Sequence, residues 1–291
     1  MAASLSAEQI DAFWNDGFLF PVAAISSADA LAARRHFLEL MDEPAVTLPR
    51  PTNDYARSCF HAVSTEAARL AAHPAVLDAV ESLLGPDLLV WSVELIIKPP
   101  QSDKMLTMHQ DPNYWGFEHA DGEVTAWLAL GDVTIENGAM QFVRASHRLG
   151  AVAHHDTYGK NNLLSRGQEI AVYFDPADEV PADEVPVELG AGEISLHHGL
   201  TFHGSGPNTT DDHRVALAIR YVTPEMGKQG GATDYAMLVR GADRHNKLVK
   251  IAPPTTDFGP AELVLHTELE AAQLGALAAG AGEGYGYGRG A

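Results

Sequence analysis

Residues 88–97 read LLVWSVELII, and the run stops at Lys98-Pro99-Pro100. β-Branched and aromatic residues dominate it, and two successive prolines cannot continue a sheet ladder, so it reads as a strand with a hard end. Before Gly85 the spacing is helical. Ser6 and Gln9 form a capping box, Ile10, Phe13 and Trp14 share a face, and Gly17 stands at the stop, followed by the extended piece FLFPV (18–22). Further helices are predicted over about 26–41, 65–72 and 74–84, with Pro74 in a first turn and Gly85 at the end. Residues 43–58, rich in proline and polar groups, read as loop. After Gly85 come EVTAWLAL (123–130), the turn ENG (136–138) leading by a predicted hairpin to AMQFV (139–143), then EISLHH (193–198) and RVALAIRYV (214–222). Short strands broken by turns, after a helical first third, predict a mainly β protein with flanking helices, its core a closed or double-sheet barrel of jelly-roll type. The long stretches 150–169 and 223–258 read as lid or binding loops, and GAGEGYGYGRGA (280–291) as a disordered low-complexity tail.

The chain has 291 residues, of which 39 are acidic and 19 basic, for a net charge of -20. Such a charge repels phosphate backbones and anionic membranes, so neither nucleic acid nor membrane is expected as a partner. One cysteine, Cys59, allows no intrachain disulfide and fits a reducing, cytoplasmic setting. No signal peptide is visible at the first residues, and no apolar run reaches membrane-spanning length. The oligomeric state is not fixed by the sequence.

Function is concentrated in two short motifs. In HQDPNYW (109–115), His109 and Asp111 stand two apart, and residues two apart on a strand face one side. In HHGLTFHGSGPN (197–208), His203 ends an extended stretch directly before a glycine turn, ahead of its competitors His197 and His198. Two histidines and one carboxylate with open positions make the facial triad of non-haem Fe(II) oxygenases. Eleven residues on, Arg214 opens a strand. Its odd-numbered face is Val215, Leu217, Ile219 and Tyr221; its even-numbered face is Arg214, Ala216, Ala218 and Arg220. An arginine beside two alanines on an inner face makes sense if an anion fills the space they leave, because a guanidinium holds a carboxylate through two parallel hydrogen bonds.

Lys98-Pro99, His109-Gln110-Asp111, Trp127, Asn137-Gly138, Ser146-His147, HGSGPN (203–208) and Arg214 occur in that order. In this the chain resembles the phytanoyl-CoA dioxygenase family of Fe(II)/2-oxoglutarate-dependent oxygenases, over roughly residues 6–222. The resemblance implies a double-stranded β-helix (jelly-roll, cupin-like) core. It implies His109, Asp111 and His203 as iron ligands, Arg214 as anchor of the distal carboxylate of 2-oxoglutarate with Ser205 assisting, and Gln110 and Trp127 along the cosubstrate pocket. Where the family often reads Pro-Gly-Ser-His, this chain reads RASH (144–147), a structural position. One domain is expected over 1–279: helices at 6–85, core at 88–222, lid loop and C-terminal helix at 223–279.

The expected activity is O2-dependent hydroxylation of an unactivated C–H bond of a small organic molecule, with release of succinate and CO2. In related halogenases a small residue replaces the carboxylate; Asp111 therefore favours hydroxylation. The other reading is a metal-binding, cupin-like barrel that does not use 2-oxoglutarate, and Arg214 on its alanine-lined face argues against it. No basic patch suits the phosphates of coenzyme A, so a polar, free substrate is expected. Candidate substrate contacts are Tyr114, Trp115 and Phe117, as an aromatic wall or as packing under a lid. Arg220 reads as a rim salt bridge or a substrate contact. Arg240, with Asp243, reads as a lid ion pair or a substrate contact. His154 and His155 read as surface loop.

Overall fold

The computed structural model describes residues 4–42, 47–156, 161–162, 168–170 and 183–279; the tail expected to be disordered lies outside them. Helices α1 to α5 are Ala7–Asp16, Ser27–Asp42, Thr52–Ala56, Thr65–Ala71 and Pro74–Leu84, and α6 is Pro260–Ala279. Strands β1 to β7 are Phe18–Ala23, Leu88–Lys98, Leu106–His109, Glu123–Ala129, Met140–Val143, His154–Asp156 and Gln168–Ile170. Strands β8 to β13 are Glu184–Val187, Glu193–His198, His203–Ser205, Arg214–Val222, Tyr235–Arg240 and Val249–Ile251.

The major sheet has the order β1-β9-β4-β11-β2-β12-β13 and the minor sheet the order β3-β10-β5-β8, with β6 and β7 paired apart. The two faces of β11 explain the layering. Val215, Leu217, Ile219 and Tyr221 join Phe13, Phe37, Phe60, Leu70 and Val80 of the helical layer in one core. Ala216 and Ala218 turn the other way and meet Trp127, Phe142, Met140 and Val187, so the second core lies between the sheets. Helices outside and a polar-lined space between two sheets follow from one period-two strand. Tyr221 ties the layers: its buried hydroxyl donates to the Ala71 carbonyl at 2.7 Å. Tyr221→Phe leaves that carbonyl unsatisfied and is expected to cost about 1 kcal/mol, read as a shifted urea midpoint with unchanged slope.

The ends of α1 are as the sequence predicts. Ser6 and Gln9 close the capping box, and Gly17 ends the helix at φ 87° with its N–H on the Phe13 carbonyl. A side chain at 17 would also collide with His147 and Thr201, so glycine is required twice over.

Several expectations are corrected. Met140–Val143 does not fold back on Glu123–Ala129; β4 lies in the major sheet and β5 in the minor, so the turn at 136–138 carries the chain from one sheet to the other. The stretch 43–58 contains α3, and the stretch 223–258 contains β12 and β13, which extend the major sheet beyond β2. The sheet therefore reaches past 88–222 at both edges, since β1 pairs with β9. His154 is not free surface loop: on β6, its Nε2 accepts the Gln110 backbone N–H at 3.0 Å. His155's side chain lies outside the described residues.

Candidate active site

His109 and His203 face each other because β3 and β10 pair antiparallel with these two residues in register. Their ring centroids are 4.2 Å apart. Each imidazole is oriented from behind: His109 Nδ1 lies 2.8 Å from the Thr107 carbonyl and His203 Nδ1 2.9 Å from the Thr201 carbonyl. A carbonyl can only accept, so both rings carry their proton on Nδ1 and present a bare Nε2 to the interior. Burial pulls His109 down to about 3 and His203 to about 4, so both rings are neutral at pH 7, as ligation requires. Gly204 is what lets the strands approach: a Cβ there would stand 2.9 Å from the Leu106 carbonyl oxygen.

Pro112 turns the chain after Asp111 into a short 3-10 helix, Asp111–Tyr114, and swings the carboxylate over the imidazole pair. Asp111 Oδ1 is 3.8 Å from both Nε2 atoms. One ligand atom from each of His109, Asp111 and His203 falls within 4.8 Å of the others, and all three residues are buried. Burial alone would raise the Asp111 carboxyl; Arg220, His203 and His197 reverse this and hold it well below the usual range. Two neutral nitrogens and one ionised oxygen converging within this distance fit Fe(II).

A second polar group sits at the far end of the same inner face. Arg214 and Lys98 are cross-strand partners on β11 and β2. Arg214 is 2% exposed, and Lys98 is fully buried. Arg214 Nη1 donates to the Gly138 carbonyl at 2.6 Å, its Nε has no partner, and its Cζ lies 5.2 Å from the centre of the Trp127 ring. Lys98 Nζ donates to Ser205 Oγ at 2.7 Å and to the Gly206 carbonyl. Neither cation has a carboxylate partner among the described residues. Burial and then the repulsion of Arg214 pull the Lys98 ammonium down to about 6; burial pulls Arg214 to about 9, still charged at neutral pH. Asn208 explains the end of HGSGPN: its amide donates to the carbonyls of Lys98 and Asp212, tying the turn to the end of β2. Ser146 is structural as expected, donating to the Val143 carbonyl and accepting the Phe202 N–H.

The phytanoyl-CoA dioxygenase (PhyH) family model matches residues 15–216. The chain belongs to the phytanoyl-CoA dioxygenase family. A solved structure described as the non-heme monooxygenase ThoJ, in its apo form, is 37% identical, covers 94% of this chain and 98% of its own, and superposes with a TM-score of 0.81. The epimerase SnoN, solved with Fe3+, alpha ketoglutarate and nogalamycin RO, is 25% identical over 86% of this chain and 95% of its own, with a TM-score of 0.61. A probable phytanoyl-CoA dioxygenase of Caenorhabditis elegans is 28% identical over 160 residues, 53% of this chain and 50% of the relative. The chain spans about half the length of the curated phytanoyl-CoA dioxygenases that it matches first.

For this member of the family, the remaining candidates divide. Arg220 is no rim residue. It is buried 3.0 Å from Glu94, with Nη2 3.7 Å from Asp111 Oδ1 and its Cζ 4.9 Å from the centre of the Trp115 ring. Burial pushes the Glu94 carboxyl up against the pull of Arg220. Trp115 leans on Trp91, centroids 4.9 Å apart, while Phe117 is buried against Trp91 and bridged to Lys228, so Phe117 packs under the later loop. The side chain of Tyr114 lies outside the described residues.

Two expectations are corrected. Gln110 does not turn its amide to the cosubstrate space: Nε2 donates to the Gly150 and Leu200 carbonyls and Oε1 accepts the Val152 N–H. It points away because residues 109 and 111 take the other side of the chain. Arg240 pairs with Asp78, at 2.8 Å, and Glu81 on α5, and Asp243 pairs with Lys250, so both serve the outside of the sheet. Sequence reading gave no role to Lys98, to Glu94, or to Thr125, whose hydroxyl lies 2.7 Å from Glu123 Oε1 and 3.3 Å from Asp111 Oδ2. The signal was available for Lys98 and Glu94, since Ser92, Glu94, Ile96 and Lys98 share one face of the opening strand. His198, a competitor for ligation, packs against Trp14 and His147.

Proposed function

We propose that this protein is an Fe(II)- and 2-oxoglutarate-dependent dioxygenase that hydroxylates an unactivated C–H bond of a small organic molecule, releasing succinate and CO2. The observation that carries this reading is the buried pair of basic side chains, Lys98 and Arg214, with no carboxylate partner among the described residues. Leaving a guanidinium desolvated and unpaired, with an amine forced towards neutrality beside it, is costly, and a dicarboxylate cosubstrate removes the cost. A metal-binding barrel that does not use 2-oxoglutarate has no need of them.

His109, Asp111 and His203 would hold the metal, which, with the cosubstrate bound, supplies the oxidising chemistry that no side chain can. The protein does the rest. Thr107 and Thr201 fix the imidazole tautomers. Arg214 and Lys98 grip the far carboxylate, with Ser205 beside them, and Trp127 walls the space under the Arg214 guanidinium. These contacts orient the cosubstrate before reaction, where positioning is worth most. Trp115, Arg220 and Glu94 face the metal side from the other end and would meet the substrate. A charged pair over an indole suits a polar molecule better than an alkyl chain, and the net charge of -20 disfavours a coenzyme A thioester. No helix among the described residues is long and apolar enough to cross a membrane. A cytoplasmic setting fits the one buried cysteine.

The deciding experiment is anaerobic. Fe(II) and then 2-oxoglutarate are added to metal-free protein, and a visible metal-to-ligand charge-transfer band is expected. Bound iron without that band would refute the cosubstrate assignment.

A further inference from the structure

Asp111 comes from the minor-sheet side, yet what surrounds it comes from the major sheet. Arg220 on β11 is the cross-strand partner of Thr125 on β4, and Thr125 is the cross-strand partner of His197 on β9. The three side chains form a single lateral row over three adjacent strands, all on the inner face, all buried. The row meets the carboxylate unequally. Arg220 Nη2 lies 3.7 Å from Oδ1, the oxygen equidistant from the two imidazoles. Thr125 Oγ1 lies 3.3 Å and His197 Nε2 3.4 Å from Oδ2, and Thr125 Oγ1 is shared with Glu123 Oε1 at 2.7 Å. Both ring nitrogens of His197 are buried without a hydrogen-bond partner, and Asp111 Oδ2 is the acceptor within reach of its Nε2. A neutral imidazole has one N–H, and a buried one without a partner costs about 1–3 kcal/mol.

We propose that Arg220, Thr125 and His197 are positioning residues that hold Asp111 as a one-oxygen ligand, Oδ1 for the metal and Oδ2 for the protein. The proposal rests on the metal and cosubstrate reading above. Carboxylates bind metals through one oxygen or two. A six-coordinate metal on these three protein donors and a two-oxygen cosubstrate would have one position left for O2. An Asp111 free to turn and bind through both oxygens would take that position. Engaging Oδ2 from behind keeps it open. Arg220 flanks Oδ1 without reaching hydrogen-bond distance, so it steadies the carboxylate by charge and leaves the lone pair for the metal.

The test uses the full chain with Thr125→Val and His197→Phe, singly and together, and with Thr125→Ser and His197→Gln as conservative variants that keep a donor. Two quantities are read: Mn(II) affinity of the metal-free protein, and nitric oxide affinity of the anaerobic Fe(II)–2-oxoglutarate complex by electron paramagnetic resonance. In the double variant, both are expected to fall roughly tenfold or more, within the range typical of lost outer-shell partners, while the charge-transfer band persists. The conservative variants are expected to restore them. Affinities within about twofold of wild type in a folded double variant would overturn the proposal. If wild-type protein binds Mn(II) but forms no cosubstrate band, the functional reading fails, and the Mn(II) affinities alone decide whether the row positions Asp111.

Discussion

His203→Ala is expected to abolish the charge-transfer band and all 2-oxoglutarate turnover, while the metal-free protein stays folded. His203 is one of two imidazoles that paired strands bring face to face, so its loss leaves one nitrogen and one carboxylate, too few to hold Fe(II) against water. Losing a metal's outer-shell partner typically costs 10–100-fold in affinity; losing a direct ligand is expected to cost more than about a hundredfold. The folded state loses much less. The deleted imidazole makes one hydrogen bond, to the Thr201 carbonyl, and touches Phe142 and His197 from one side. The cost is of the order of 1–3 kcal/mol, a small shift in melting temperature. Measuring Mn(II) affinity beside the thermal melt separates the two effects. Near wild-type metal affinity in the variant would move the ligand role to His197, the ring 4.7 Å away.

How far the sequence reaches is itself a physical matter. The strand 214–222 was legible because its two faces differ in kind: one apolar and branched, the other arginine and alanine. Its odd face meets the helices, its even face the other sheet, as period two requires. The triad was legible because His109 and Asp111 are neighbours and His203 abuts a glycine turn, so local spacing carries the pattern. What was missed depends on contacts between distant strands. Strand β12 rests on pairing with β2, and the short edge strand β13 on pairing with β12, and such pairing leaves little trace in local composition. The turn at 136–138 has the residues of a hairpin, yet the strand after it finds its partners in β10 and β8. The row Arg220–Thr125–His197 joins residues up to 95 positions apart through register alone (220 − 125), which no local motif encodes. Arg240 was misplaced for the opposite reason: an arginine on a long loop attracts a functional reading, and only the fold shows Asp78 and Glu81 beside it.

The affinity for 2-oxoglutarate is expected to rise as pH falls from about 8 to about 6 and then level off, and Lys98→Met is expected to remove that dependence. In the free protein, burial and Arg214 hold Lys98 near 6, against a usual value of 10.5. At pH 8 its side chain is therefore mostly neutral. A carboxylate arriving beside Nζ favours the ammonium and raises its pKa, so binding between pH 6 and the new pKa takes up a proton. Proton uptake makes binding stronger at lower pH, by at most about tenfold per unit. Below 6 the ammonium is present before binding and nothing more is gained. The same shift has the opposite sign for folding of the free protein. Between about 6 and 10.5 the unfolded chain binds more protons at Lys98 than the folded one, so this residue's contribution to stability rises with pH across that window. Arg214 behaves differently, because a guanidinium near 9 is charged throughout pH 6–8. Arg214→Met is expected to weaken cosubstrate binding by about a hundredfold, roughly 3 kcal/mol for two charge-assisted hydrogen bonds, at every pH in that range. Titration calorimetry of the Mn(II)-loaded protein in two buffers of different ionisation enthalpy counts the protons. About one proton taken up at pH 7.5 by wild type and none by Lys98→Met supports the two-cation grip; pH-independent binding by wild type refutes the part assigned to Lys98 and leaves Arg214 as the anchor.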